Sequence, residues 1–199
     1  MNVSSSHGKP DQTREIEVKL AAVSAEDALE RLNAGGFVVT QRRSFESNEV
    51  YDTPDRALRK DRRLLRLREF AGAATFTYKG TPETGRYKSR EELETEVADA
   101  AMLRLLLDRL GYELFFRYEK YRTIYSRPGE PEGVAVLDET PIGVWMELEG
   151  TPEWIDANAA RIGYGHDQYV TESYGALWIE HCKRLGVEAQ HMVFEAGGE

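Results

Sequence analysis

Cysteine is nearly missing from this chain. Cys182 stands alone among 199 residues, which excludes an internal disulfide and leaves no Cys-x-x-Cys pair or Cys/His cluster for zinc. A reducing, cytoplasmic setting is expected. Histidine is also scarce, and His7, His166, His181 and His191 share no metal-ligand spacing. Long apolar runs are absent: the most apolar stretch, residues 100–107, is interrupted by Arg104 and falls far short of the roughly 20 residues that span a bilayer. Residues 1–12 lack the apolar centre of a secretory signal, so no membrane partner is expected. Cations are in the minority, 26 Lys and Arg against 35 Asp and Glu, for a net charge of −9. That balance disfavours nucleic acid as a partner. No glycine-rich phosphate loop is present.

What is present is a folded chain. Ten Tyr, seven Phe and three Trp exclude a disordered polymer, and no linker or repeat divides the sequence. Residues 1–12 read as a flexible leader, 13–185 as one domain and 186–199 as a loose tail. Alternating and β-rich segments predict strands over 14–20, 37–51, 63–70, 75–79, 86–97, 114–126, 133–138 and 143–149. Helices are expected over 25–33 behind Ser24, over 99–110, from Thr151-Pro152 to about 161, and over 173–185. A long antiparallel meander with inserted helices is an α+β arrangement, and eight strands in that order suit a closed β-barrel with helices packed outside.

Charge recurs with period two in strand after strand: Glu15, Glu17 and Lys19; Arg66 and Arg68; Lys79; Arg90, Glu92 and Glu94; Lys120 and Arg122; Asp138; Glu147 and Glu149. One such pair is ordinary on a solvated sheet face. Repeated like-charged neighbours are different, because they repel unless counter-charges lie between them. The helices carry apolar stripes, and the strand faces free to receive them are Ile16, Val18 and Leu20, Leu65 and Leu67, and Val144, Met146 and Leu148. Covering those faces turns the charged ones inward, around a wet lumen. Asp138 shares phase with Val134 and Val136, so a bulge or the strand end is expected to aim it inward. Trp145 is in phase with Glu147, where it would either stack on a ring at the mouth or pack as a core residue.

Carboxylates two apart on a strand set hard oxygens about 7 Å apart on one face, suited to Mg²⁺ or Mn²⁺. Arginine presents a planar fork to phosphate oxygens, and lysine a point charge. Both together are the requirements of phosphoryl transfer on a long anion such as triphosphate. The seven basic residues between Arg56 and Arg68 lack interleaved aromatics and read poorly as a nucleic-acid patch.

The ordered series Glu15-Ile-Glu17-Val-Lys19, Tyr51-Asp52-Thr53-Pro54, Arg66-Leu-Arg68, Thr77-Tyr-Lys79, Arg90-x-Glu92-x-Glu94, Lys120-x-Arg122, Leu137-Asp138, Glu147-Leu-Glu149 and Ser173-Tyr174 resembles the CYTH-domain proteins. These are triphosphate tunnel metalloenzymes that include class IV adenylyl cyclases, thiamine triphosphatases and inorganic triphosphatases. The resemblance covers roughly residues 14–185 and implies an eight-stranded tunnel. It implies catalytic roles for Glu15, Glu17, Glu147 and Glu149, which with Asp138 would bind Mg²⁺ or Mn²⁺, supported by Glu92 and Glu94. Lys19, Arg66, Arg68, Lys79, Lys120 and Arg122 would grip the triphosphate. Three activities stay open: hydrolysis of tripolyphosphate, ATP or thiamine triphosphate by a water oriented by Glu147 or Glu149; cyclisation of ATP to cyclic AMP and pyrophosphate; and binding of polyphosphate or nucleotide without turnover.

Overall fold

The computed structural model describes residues 14–83 and 85–195. Eight strands follow in chain order: β1 (Arg14–Ala22), β2 (Val38–Asp52), β3 (Leu64–Phe70), β4 (Ala73–Lys79), β5 (Lys88–Glu96), β6 (Glu113–Arg127), β7 (Glu130–Thr140) and β8 (Gly143–Gly150). Every neighbouring pair is antiparallel, and the ring order β1-β5-β4-β3-β2-β6-β7-β8 closes on itself. Closure leaves no unpaired strand edge. No helix among the described residues is long and apolar enough to cross a membrane.

Four helices form where the sequence places them: α1 (Ala25–Ala34), α3 (Ala100–Arg109), α4 (Pro152–Arg161) and α5 (Tyr174–Leu185). Each starts behind a side-chain cap. Ser24, Asp99, Thr151 and Ser173 accept the backbone N–H of Asp27, Met102, Trp154 and Ala176, which satisfies a donor that has no partner within the helix. The short α2 (Ala57–Lys60) and a 3-10 turn at His166–Gln168 are additions to the expected elements.

The apolar core is a shell between barrel and helices. Val18, Leu20, Ala135, Leu137, Met146 and Leu148 face outward onto Ala28 and Leu32 of α1 and Ile155 and Ala159 of α4. Leu67 and Tyr51 meet Leu107 of α3. Full burial of a Leu or Met side chain contributes about 1.5–3 kcal/mol, so the outer strand faces carry the stability and the inner faces are left to polar groups. At Gly133 the ring of Trp154 on α4 lies against the β7 backbone, closely enough that an added Cβ would stand 2.4 Å from it.

Two expectations need correction. Neither a bulge nor the strand end is needed to turn Asp138 inward, since β7 continues in register to Thr140. Val134 and Val136 pair with Glu149 and Glu147, so these valines face the lumen themselves and Asp138 follows in phase. The segment after α5 is also not a loose tail as far as Glu195. Met192 is fully buried against Tyr118 and Tyr174. Its N–H donates to the Arg117 carbonyl at 2.9 Å, and its own carbonyl accepts the Glu119 N–H at 2.9 Å. The proposed leader and residues 196–199 lie outside the described residues.

Candidate active site

Inside the barrel the paired positions make a continuous belt of charge. Glu15 lies opposite Arg90 and Glu17 opposite Lys88 on β5, while Glu17 and Lys19 oppose Glu149 and Glu147 on β8. Lys79 opposes Glu92 and Thr77 opposes Glu94. Arg122 opposes Asp138, and Lys120 opposes Glu46. The belt encloses a cavity of ≈ 1440 Å³. Of the expected residues, Glu15, Glu17, Lys19, Arg66, Arg68, Lys79, Glu92, Glu94, Lys120, Arg122, Glu147 and Glu149 all line it. Arg59, Arg62 and Arg63 line its mouth, so much of the basic stretch up to Arg68 serves the cavity and not an outer patch.

The carboxylates and cations neutralise one another in fixed pairs. Lys79 Nζ is 2.6 Å from Glu15 Oε1 and 3.1 Å from Glu92, and Arg90 Nε donates to Glu15 Oε2 at 3.1 Å. Lys19 Nζ bridges Glu17 at 2.9 Å and Glu147 at 3.1 Å, and Lys88 also holds Glu17. Burial pushes Glu17 and Glu147 up, yet Lys19 and its cationic neighbours outweigh it and hold both well below the ordinary carboxylate value. Lys88 goes the other way. Burial outweighs Glu17, and its ammonium falls to about 8.

Glu149 differs from the rest. Among the described residues it forms no salt bridge, and burial within the tunnel, then Glu15 and Glu17, push its carboxyl up to about 7. Cavity water still reaches it. Glu15, Glu17 and Glu149 therefore offer hard oxygens with one negative charge left unneutralised, a donor set that fits a hard divalent cation. Among the described residues no three such side chains already surround a common point, so a cation would take up Glu15 and Glu17 oxygens now held by lysine and arginine.

Asp138 is placed otherwise than expected. It is fully buried and does not line the cavity. Arg122 grips it with Nε at 2.7 Å and Nη2 at 2.6 Å, Lys120 reaches it at 2.8 Å, and the Tyr174 hydroxyl donates at 2.8 Å. These contacts engage both of its oxygens and make it the anchor of two cavity cations. Trp145 packs under α5 with Leu177 and Trp178 and also stays outside the cavity lining. Ser173 and Tyr174 close this side of the wall, the first as a helix cap.

Sequence reasoning passed over Glu46, Asn48 and Lys88. Glu46 is wholly buried among Lys120 (3.4 Å), Arg68 (3.5 Å) and Arg122 (3.5 Å), and its Oε2 has no hydrogen-bond partner. Asn48 donates to Glu46 at 2.9 Å. The signal was available: Glu46-x-Asn48 has the same period, as does Lys88-x-Arg90-x-Glu92. Arg66 reaches the Tyr118 hydroxyl and Thr77, each at 3.3 Å, which fixes its guanidinium plane.

A family model described as the CYTH domain matches residues 13–165. A Methanocaldococcus jannaschii protein named as a proposed adenylate cyclase is 28% identical over 135 residues, which is 68% of this chain and 75% of that protein. A solved structure from Vibrio parahaemolyticus, also named as a proposed adenylate cyclase, superposes with a TM-score of 0.73 at 23% identity and covers 83% of this chain and 97% of that one. A Hippeastrum structure described as a proposed adenylyl cyclase with a dominant triphosphatase activity gives a TM-score of 0.61 at 18% identity, over 87% and 97%. Both structural likenesses concern the fold.

Proposed function

The chain belongs to the CYTH domain family, and from that premise we propose that it is a Mg²⁺- or Mn²⁺-dependent enzyme that hydrolyses a phosphoanhydride bond of a triphosphate. The observation that carries this reading is the charged lumen itself, where cations from five strands and glutamates from three share one cavity. Arg66, Arg68, Lys120 and Arg122 bind phosphate oxygens on one wall, with Lys19 and Lys79 beside the carboxylates. Glu15, Glu17 and Glu149 would hold the cation, which supplies charge neutralisation along the phosphate chain. Glu147, tied to Lys19 and Arg122, keeps those cations aimed. Glu149, which no lysine or arginine among the described residues holds in a salt bridge and which lines the cavity, is the carboxylate suited to orient the attacking water. Glu92 and Glu94 hold Lys79 and Arg66. Asp138, which the resemblance places among the metal ligands, becomes a positioning residue for Arg122 and Lys120.

The name carried by the Methanocaldococcus relative favours a second reading, cyclisation of ATP. Incubation with Mg²⁺ or Mn²⁺ and either tripolyphosphate or ATP separates the two. Orthophosphate with pyrophosphate from tripolyphosphate marks the hydrolase, and cyclic AMP with pyrophosphate from ATP marks the cyclase. Binding with no product from either overturns both readings and leaves a non-catalytic binding module. Glu15→Gln and Glu17→Gln should abolish metal-dependent turnover while the protein still folds; unchanged turnover in both would remove the lumen carboxylates from the mechanism.

A further inference from the structure

Helix α3 is apolar on two sides. Ala100, Leu103 and Leu107 turn toward the barrel, where Tyr51, Leu67 and Phe76 receive them. Met102, Leu105, Leu106 and Leu110 form a second stripe one helical turn at a time, and this one meets solvent. The first three are about half exposed and Leu110 is 72% exposed. A surface helix ordinarily turns polar residues outward, and one that is apolar all round ordinarily has neighbours on both sides. The apolar area continues onto the barrel at Leu114, which is exposed and lies opposite Tyr51.

The residues outside the described ones hold little to cover this stripe. Met1, Val3 and Pro10 are the apolar side chains of 1–13, and 196–199 read Ala-Gly-Gly-Glu. What fits the stripe lies at the far end of the same helix. Beside the start of α3 the surface is hollowed into an apolar groove of ≈ 420 Å³, lined among others by Phe45, Phe70, Ala73, Val97, Ala98 and Ala100. Leu110, the most exposed member of the stripe, stands at the other end as a knob. The charges are arranged in the same way. Asp99 caps the first turn and forms no salt bridge among the described residues. Arg109 in the last turn has its exposed neighbour Asp108 at 3.1 Å, a pairing that contributes little. Groove and knob, acid and base, therefore sit at opposite ends of a helix about 15 Å long.

We propose that the outer face of α3 binds a second copy of this chain, the two α3 helices packing antiparallel about a twofold axis. That arrangement brings each Leu110 to the other copy's groove and each Arg109 to the other copy's Asp99, the self-complementary contact that a twofold dimer requires. Leu105 and Leu106, midway along the stripe, lie nearest the axis. Two chains of net charge −9 repel one another, but α3 itself carries Arg104 and Arg109 against Asp108, so this face adds nothing to that repulsion. A stable dimer buries about 800 Å² on each partner, more than a three-turn helix offers, and the groove and Leu114 extend the contact beyond the stripe.

The test is sedimentation of the full chain from about 1 to about 100 μM, where a species of twice the chain mass should grow with concentration. Leu106→Glu, near the axis, should raise the dissociation constant at least about tenfold. Leu110→Gln should do the same at a position too exposed to matter for folding, and Leu185→Gln, comparably exposed on α5, should leave the dimer intact. Mild oxidation should link two copies of Leu105→Cys, because identical residues beside a twofold axis face each other. It should not link Leu110→Cys, whose copies lie at opposite ends of the contact. Cys182 is buried and does not compete. A monomer at every concentration overturns the proposal and leaves the stripe to an unlike protein. So does a dimer that neither Leu106→Glu nor Leu110→Gln weakens, or one that Leu110→Cys links as readily as Leu105→Cys.

Discussion

Glu149 stands directly opposite Glu17 on the β1–β8 ladder, so two carboxylates meet where a sheet would ordinarily pair opposite charges. Glu17 has Lys19 and Lys88, and Glu149 is left to hold its proton up to about 7. Between the ordinary value and about 7 the folded chain keeps a proton that the unfolded chain has released. This contribution is therefore greatest at low pH and is lost as pH rises through the window. Because cavity water screens the group, the expected fall in unfolding free energy from pH 5 to pH 8 is about 1 kcal/mol. Denaturant titrations in EDTA should show it, Glu149→Gln should flatten it, and Mg²⁺ or Mn²⁺ should restore stability at pH 8. A wild-type profile unaffected by either metal would contradict the assignment. Glu17 and Glu147, held low, act in a separate window: the stability they contribute is lost as pH drops below the ordinary carboxylate value.

Arg66 is fixed by Tyr118 and Thr77, so its planar fork is pre-aimed at the cavity. Arg66→Lys keeps the charge and loses the fork. Charge-assisted hydrogen bonds contribute about 1.5–3 kcal/mol, so tripolyphosphate affinity should fall roughly 10- to 100-fold. Unchanged affinity in a binding titration would count against Arg66 as a clamp.

Asp138 is buried with Arg122, Lys120 and Tyr174 around it. Asp138→Asn removes the carboxylate that Arg122 grips through both Nε and Nη2, and breaking a buried pair in this way costs about 3–5 kcal/mol. The expected result is a markedly lower melting temperature together with weakened triphosphate binding. A variant that loses metal affinity but keeps wild-type stability would instead return Asp138 to the metal.

Gly133 lets Trp154 lie on the β7 backbone. Gly133→Ala overpacks this contact between α4 and the barrel, at a cost of about 1–3 kcal/mol. Thermal unfolding measures it directly, and an unaltered midpoint would mean that α4 shifts freely.

The alternation of charge in Glu15-x-Glu17-x-Lys19 and Lys120-x-Arg122 made the lumen readable because neighbouring like charges need a reason. Nothing comparable marks Val134 and Val136. Apolar residues normally signal an outward, helix-covered face, yet these two line the interior beside Glu149 and Glu147, which is why Asp138 looked out of phase. Glu46 hid among Phe45, Ser47 and Asn48, where an acid with no charged residue two positions away on its C-terminal side looks solvated; its burial depends on Arg68 and Lys120 arriving from neighbouring strands. The stretch after α5 has no periodicity to read. Its placement comes from the single buried side chain of Met192 and from backbone hydrogen bonds to Arg117 and Glu119, which any residue but proline can supply.

The ring order seats β1 between β5 and β8, and that single strand supplies Glu15, Glu17 and Lys19. Closing the cylinder and assembling the acidic centre are therefore one event. Pairing between positions as distant as Glu17 and Glu149 comes late and slowly, since long loops must be immobilised first. A partly zipped form would leave β5 and β8 as bare, sticky borders with a half-built and chemically inert cavity, so any detectable turnover reports molecules whose circumference is complete.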